Sequence, residues 1–274
     1  MNWQQEFFPA IIAFIFGACV GSFLNVCIYR IPRGISIVLP RSYCTNCGAF
    51  IPWYKNIPLV SWWMIFGRAS CCGVRISMRY WWIELITATM YAAFVGYFGP
   101  LVGTVYAVFF SFLLVAFFTD LDFMIIPDEV NYAAAAYAFL CSTALAAYLN
   151  GGGRLLEGAT QSVLGGVTGA GSLWLIAKLG TLFLKKEAMG LGDVKLMLAI
   201  GAMLGWEGAL FSIGAGAIIG SIIGFVALIS RGERFGSGVA IPFGPALIIS
   251  AGIWVVVGRE LWMRYFQQVQ PFLN

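Results

Sequence analysis

Residues 85–119 read LITATMYAAFVGYFGPLVGTVYAVFFSFLLVAFFT, 35 positions without a charged side chain. A helix crosses the hydrocarbon core of a bilayer in about 20 residues, so this run is too long for one span. Gly99-Pro100 falls inside it, and glycine and proline break a helix and mark a turn. The run therefore predicts two spans joined by a tight turn. Working outward, Phe7 to Tyr29 is a charge-free run of 23 residues, and further spans are predicted at about 130–149, 158–184, 192–206, 208–230 and 238–258. The span before Gly205-Trp-Glu-Gly208 is short, so the number eight rests partly on that segment being a short helix.

Composition agrees. The 274 residues hold 16 Lys or Arg and 12 Asp or Glu, so 10% are charged, against roughly 25% in soluble domains. Hydrophobic residues make up 61%. A soluble globular enzyme is excluded. The chain has no histidine, which excludes Ser-His-Asp and Cys-His nucleophile pairs, HExxH metalloproteases and His-ligated metals. The expected fold is an all-α polytopic membrane protein of about eight transmembrane helices, with a small cysteine-containing cytoplasmic insertion between helices 1 and 2. The expected domains are a first helix at 1–29, the insertion at 30–80 and a membrane-embedded domain at 81–274.

Orientation follows from the bases. Arg30, Arg33, Arg41, Lys55, Arg68, Arg75 and Arg79 precede the first later acid, Glu84, which puts this segment on the cytoplasmic side. The first run lacks the basic start of a signal peptide, so it reads as a retained span with its N-terminus outside. Lys185, Lys186, Arg231 and Arg234 fall inside, and Arg154, Arg259 and Arg264 lie near outer span ends. Glycines at every fourth position, as in Gly17/Gly21, Gly165/Gly169 and Gly216/Gly220/Gly224, predict close helix packing.

Cys19, Cys27 and Cys141 lie in apolar spans and read as small buried hydrophobes. Cys44-Thr-Asn-Cys47 and Cys71-Cys72 lie in the basic segment. Two thiolate pairs about 25 residues apart can close a tetrahedral structural zinc site in a segment too small for its own core. The second half is irregular, because adjacent Cys71 and Cys72 reach one metal only with backbone distortion.

Ionisable groups are expensive in a bilayer and mark function. Asp120, Asp122 and Asp128 lie in Asp120-Leu-Asp122-Phe-Met-Ile-Ile-Pro127-Asp128, and Asp193 lies in Gly190-Leu-Gly192-Asp193-Val-Lys195. Pro127 and Asp128 fit a helix start, with Asp128 as cap. Gly190 and Gly192 allow close approach of an extended chain. The functional reading is an aspartyl dyad. Two neighbouring carboxylates do not both ionise readily, so one takes a proton from water while the other polarises a carbonyl. A cation pathway, or capping with a solvated loop, remains open on the residues alone.

These residues resemble a known family. Gly190-x-Gly192-Asp193 is the GxGD signature of intramembrane-type aspartyl proteases. Gly21-Ser-Phe-Leu-Asn-Val-Cys-Ile-Tyr-Arg30-Ile-Pro32, Arg41-Ser-x-Cys44-x-x-Cys47, Asn56-Ile-Pro58-Leu-Val-Ser61-Trp, Ile76-Ser77-x-Arg79-Tyr80, the Asp120–Asp128 segment, Gly192-Asp193-Val-Lys195-Leu and Ile241-Pro-Phe-Gly-Pro245 resemble bacterial type IV prepilin peptidases, in that family's order. The resemblance implies a peptidase in the bacterial inner membrane, with its active site facing the cytoplasm. It implies removal of leaders from type IV prepilins or type II secretion pseudopilins, after a glycine. Within the motifs it implies Asp122 and Asp193 as catalytic, with Asp120, Asp128, Gly190, Gly192 and Lys195 supporting. It also implies N-methylation of the new N-terminus with S-adenosylmethionine, for which it names no residues. Expected partners are the substrates and the bilayer, and no nucleic acid. Against the family's two Cys-x-x-Cys halves, Ala69 stands where the third cysteine belongs, Cys72 is the fourth, and Cys71 lies between. The expected metal ligands are Cys44, Cys47, Cys72 and Cys71. A transporter using cytoplasmic-edge carboxylates and a non-catalytic pilus-assembly scaffold are the competing readings. Carboxylates gathered on one side disfavour a through-path. Ile241–Pro245 is expected to form a broken entry to the last span near the dyad.

Overall fold

The structure is a computed structural model that describes residues 3–149, 155–185, 189–231 and 242–258. Lys186, Arg154, Arg234, Ile241, Arg259, Arg264 and the expected start of the last span at 238 lie outside these residues. Eight α-helices carry the described chain: α1 Trp3–Arg30, α2 Ser61–Met64, α3 Arg79–Phe98, α4 Pro100–Phe123, α5 Asp128–Leu149, α6 Leu155–Leu184, α7 Leu191–Arg231 and α8 Gly244–Ile253. The described residues contain no strand, only the isolated bridges Tyr43–Phe50 and Arg68–Arg75.

Five of these helices are long and apolar enough to cross a membrane, and α3 is not among them. The longest, α7, is two helices joined at Gly205, whose φ of 77° and ψ of 176° leave the helical region. This is the short turn expected before Gly208, with the helices on either side meeting directly. Gly99, at φ 80°, separates α3 from α4 as the sequence predicts. Helix α4 runs on to Phe123, beyond the expected end at Thr119. The first acidic pair therefore lies on its last turn and not in a loop, so the two side chains point in fixed, different directions.

The chain divides into two compact units, 1–115 and 116–274. In the first, α1 packs on α3 through Gly17 and Gly21. A Cβ at Gly17 would stand 2.9 Å from Ala88 Cα, and one at Gly21 would stand 2.7 Å from Glu84 Cα. Tyr91 Oη and Ser111 Oγ, 3.1 Å apart, join α3 to α4. In the second, α5, α6, α7 and α8 pack together. Gly165 of α6 meets the Gly201 backbone of α7 with no room for a side chain on either. Small residues here let helix backbones approach, as the four-residue spacing predicts. Large apolar side chains such as Ile11, Ile15, Leu164 and Ile222 are exposed. In water such a surface would associate, but lipid solvates it.

Between α1 and α3, residues 31–78 have no apolar core. Their buried side chains are small: Cys44, Ser61 and Ala69. Trp53 and Phe66 are more than 80% exposed, at 82% and 87%. This segment is held by turns and by its cysteines.

Candidate active site

Within unit 116–274 the acidic residues separate into two groups. At 3.6 residues per turn, positions two apart on a helix point roughly 200° apart. Asp120 continues the buried stripe Phe109, Leu113, Ala116 of α4 and is itself 6% exposed. Asp122 is on the other side of the turn and exposed. Thus Asp120 and Asp122 do not occupy one site together.

The Asp120 carboxylate meets the start of α8. Gly244 N–H donates to Asp120 Oδ2 at 3.0 Å in a buried contact. This is one of the backbone donors that a helix leaves unpaired at its N-terminus, where the dipole also favours an anion. The position requires glycine, because a Cβ at Gly244 would lie 2.7 Å from Asp120 Oδ2 and 3.1 Å from Ile126 Cδ1. The Ile241–Pro245 motif was expected near the pair Asp122 and Asp193, and its Gly244 meets Asp120.

Asp193 sits in the first turn of α7. Ile126 lies against Gly244, which holds Asp120, and against Gly192, the neighbour of Asp193, so the end of α4 and the start of α7 converge there. The resemblance names Asp122 as Asp193's companion. Gly192 packs on Ile126, where an added Cβ would lie 3.4 Å from Ile126 Cβ. Asn131 of α5 donates from Nδ2 to Gly192 O at 3.3 Å. Buried Ile126 and Asn131 thus hold the α7 start in place, and neither stood out in the sequence. Gly190 precedes α7, and a Cβ there would stand 4.0 Å from Asp193 Oδ2. Around this point Ile125 and Leu191 are exposed, at 62% and 68%.

Asp128 and Lys195 form a separate pair. Lys195 Nζ donates to Asp128 Oδ1 and Oδ2, each at 2.7 Å, and stands 5.3 Å from the Tyr132 ring centre. Asp128 is the first helical residue of α5. Pro127 precedes it, and its carbonyl accepts the N–H groups of Val130 and Asn131. Asp128 was expected to cap this helix, but its carboxylate serves Lys195 across to α7.

In unit 1–115 the sulfurs of Cys44, Cys47, Cys71 and Cys72 all lie within 4.8 Å of one another. Cys44–Cys72 is 3.7 Å, Cys47–Cys71 3.4 Å and Cys71–Cys72 3.9 Å. Four sulfurs at about 2.3 Å from a tetrahedral zinc are roughly 3.8 Å apart, so the donor set fits a metal ion. Adjacent Cys71 and Cys72 both enter the cluster, so the four expected ligands come together in spite of the irregular second half. Backbone geometry explains this. Gly48 N–H donates to Cys44 O and Cys44 N–H to Ala49 O; Gly73 N–H donates to Ala69 O and Ala69 N–H to Val74 O. Gly48 and Gly73 have φ of 72° and 71°. The two turns are repeats, with Ala69 in the place of Cys44 and Cys72 in that of Cys47. Cys71 stands where the first turn has Asn46 and supplies the missing sulfur. The backbone N–H groups of Cys47 and Asn46 pull the Cys44 thiol down to about 6. The hydrogen bond with Cys47, then burial, pushes Cys71 up to about 12.

Fold and site together define a polytopic α-helical membrane protein with carboxylates at helix ends and a four-cysteine insertion. A family described as the bacterial peptidase A24 N-terminal domain matches residues 15–98, and the type IV leader peptidase family matches residues 107–225. A prepilin leader peptidase/N-methyltransferase of Aeromonas hydrophila is 31% identical over 279 residues, covering 93% of this chain and 92% of the relative. The protein of that name from Neisseria gonorrhoeae is 31% identical over 283 residues, 93% of each. The one from Myxococcus xanthus is 36% identical over 225 residues, 82% of this chain and 64% of the relative. No solved structure matches. The chain belongs to the type IV leader peptidase family.

Proposed function

We propose that this protein is an aspartyl endopeptidase of the bacterial inner membrane. It removes leaders from type IV prepilins or pseudopilins at the cytoplasmic face and N-methylates the new terminus. The observation that carries the peptidase reading is the buried Asp120, held by Gly244 N–H, with Ile126 in contact with both Gly244 and the Gly192 that precedes Asp193. The names of the relatives carry the methylation.

In this reading Asp120 and Asp193 are the dyad. The reaction needs one proton between them. The ionised carboxylate takes a proton from water, whose oxygen attacks the carbonyl carbon of the leader's final glycine. The protonated one donates to the carbonyl oxygen. The tetrahedral intermediate collapses, the C–N bond breaks, and the nitrogen leaves with a proton as the new N-terminus. An extended substrate backbone needs water or protein to satisfy its polar groups, which suits helix ends at the membrane edge. Exposed Ile125 and Leu191 offer an apolar approach for the helix behind the leader. In methylation the neutral amine's lone pair attacks the donor's methyl carbon. A C–N bond forms, the C–S bond breaks with its electrons going to sulfur, and the extra proton on nitrogen passes to solvent.

The direct test is to incubate detergent-solubilised protein with a prepilin containing a Gly-Phe junction, with and without S-adenosylmethionine, and to weigh the products. Cleavage after glycine, plus one methyl group only with the donor, is expected. An intact prepilin would end the peptidase reading.

The Gly244 bond gives a finer expectation. Hydrogen bonds to charged groups contribute about 1.5–3 kcal/mol, so Gly244→Ala should cleave roughly 10- to 100-fold more slowly while still inserting. A rate unchanged from the parent would remove Gly244 from the site.

The cysteine cluster fits a structural zinc, bound by Cys44, Cys47, Cys71 and Cys72. Four thiolates leave no open position for a substrate. The repeated turns predict that Cys71→Ser lowers bound zinc well below one equivalent, and that adding Ala69→Cys to the same chain restores it. Zinc content by elemental analysis reads both. A double variant as poor in zinc as the single one would mean that the turns are not equivalent.

A further inference from the structure

We infer that α2 and the turns on either side of it, residues 59–66, are a membrane-docking surface of unit 1–115. Their exposed apolar side chains enter the leaflet into which α1 emerges, the cytoplasmic one in the function proposed above. The occupant of this surface is the glycerol and upper acyl region of the phospholipids, so the insertion sits on the bilayer.

Contacts along α1 fix the depth of this surface. Helix α1 is one of the five long enough to span. It runs antiparallel to α3, and their contacts step by four residues on each: Gly17 on Ala88, Gly21 on Glu84, and Asn25 on Tyr80, where Asn25 Nδ2 donates to Tyr80 O at 3.0 Å. Asn25 lies four residues before the end of the charge-free run Phe7–Tyr29, about 6 Å at 1.5 Å per residue. The first turn of α3 therefore stands just inside the edge of the span. Residues 59–63 are tied to that level. Trp81 Nε1–H donates to Leu59 O at 3.1 Å, and Leu59 N–H donates to Glu84 Oε2 at 2.7 Å. The Trp63 ring packs edge-on against Trp81, with centres 5.9 Å apart, and Trp81 packs on Trp82 at 5.1 Å. Tryptophans gather at the membrane interface, where an apolar ring with one N–H donor suits the boundary. Helix α2 widens the aromatic belt that begins α3.

Exposure and backbone agree with this placement. Trp63, Met64 and Phe66 are 53%, 66% and 87% exposed, while Ser61 is buried, and Trp62 Nε1–H donates to Ile76 O at 3.3 Å. Leu59 and Phe66 bracket α2 at φ of 63° and 49°, left-handed values that bulky residues rarely adopt. Strain of this kind persists where function uses it. Here it begins and ends α2, and the second bend leaves the Phe66 ring outward with no protein over it. So apolar a patch marks an interaction surface. The surrounding charge selects lipid, because from Arg30 to Arg79 the chain carries seven bases and no acid, the complement of a phosphate layer.

The test uses purified full-length protein in vesicles of phosphatidylethanolamine and phosphatidylglycerol that carry a phospholipid with a diazirine near the head of its acyl chain. After irradiation, the tryptic peptide Asn56–Arg68 should carry lipid label at a level comparable to the peptide with the exposed α1 residues Ile11 and Ile15. Trp63→Asp combined with Phe66→Asp should lose the label on Asn56–Arg68 and keep it on α1, since charge at membrane depth is costly. Label on α1 with none on Asn56–Arg68 would overturn the docking, as would a double variant labelled like the parent. Should the double variant fail to insert, the label map of the unaltered chain decides. Phe66→p-benzoylphenylalanine, irradiated in whole membranes, separates lipid from protein occupants. Phospholipid adducts are expected, and a crosslink to another protein or to a second copy of this chain would overturn the assignment.

Discussion

Asp193→Asn and Asp120→Asn should each abolish leader cleavage, a loss of roughly 10⁴-fold, the scale on which a broken acid–base unit falls. Asp122→Asn should cleave within about twofold of the parent, as expected for an exposed change away from the chemistry. The change from Asp to Asn keeps size and shape, and in Asp120→Asn the amide oxygen can still accept the Gly244 N–H. Insertion and folding are therefore preserved, while the proton exchange with water is lost. The three variants are read together in one prepilin cleavage assay, with membrane insertion checked by fractionation. Inactive Asp122→Asn beside active Asp120→Asn would restore Asp122 to the dyad. The opposite outcome fixes the pair as the one the buried faces define.

Removing the metal should have the second large effect, in the other unit. Residues 31–78 bury only small side chains, so burial contributes little to their order. A structural zinc contributes about 10–16 kcal/mol of apparent binding energy to such a segment. Chelation, or Cys44→Ser with Cys47→Ser, should therefore loosen it. Trypsin should then cut at Lys55, Arg68 and Arg75, sites that resist digestion in the loaded protein, while the helices stay protected by detergent. One equivalent of zinc per chain is expected before chelation. Protein purified without near-stoichiometric zinc, or a digestion pattern unchanged by chelation, would refute the staple.

The sequence carried the class of this protein further than its site. Lengths of charge-free runs located the helices to within a few residues, and Gly99 and Gly205 break them where expected. The last helix is shorter in its described part, 244–253 with a π-helical turn to Gly258. The carboxylates were legible as a group, because charge at membrane depth is rare. Choosing between Asp120 and Asp122 was not possible from hydropathy. Their neighbours in α4 are almost all apolar, so no amphipathic pattern shows which face is inward. Extending α4 past Thr119 to Phe123 turned a loop position into a helical phase, and the phase separates the two acids. Gly244, far along the chain from Asp120, read only as part of a helix start.

What the sequence determined by itself is the solvent. A bilayer of fixed thickness, with no water to satisfy backbone groups, accepts helices of about 20 apolar residues, and that requirement is written locally in composition. Tertiary structure alone decided which groups meet. It joined the start of α8 to Asp120, set Ile126 against both Gly244 and Gly192, tied Lys195 to Asp128, and let Cys71 take the place that Ala69 leaves empty. Contacts of this kind depend on helix phase and on turns repeated in space. Residues far apart in the chain carry no local mark of them.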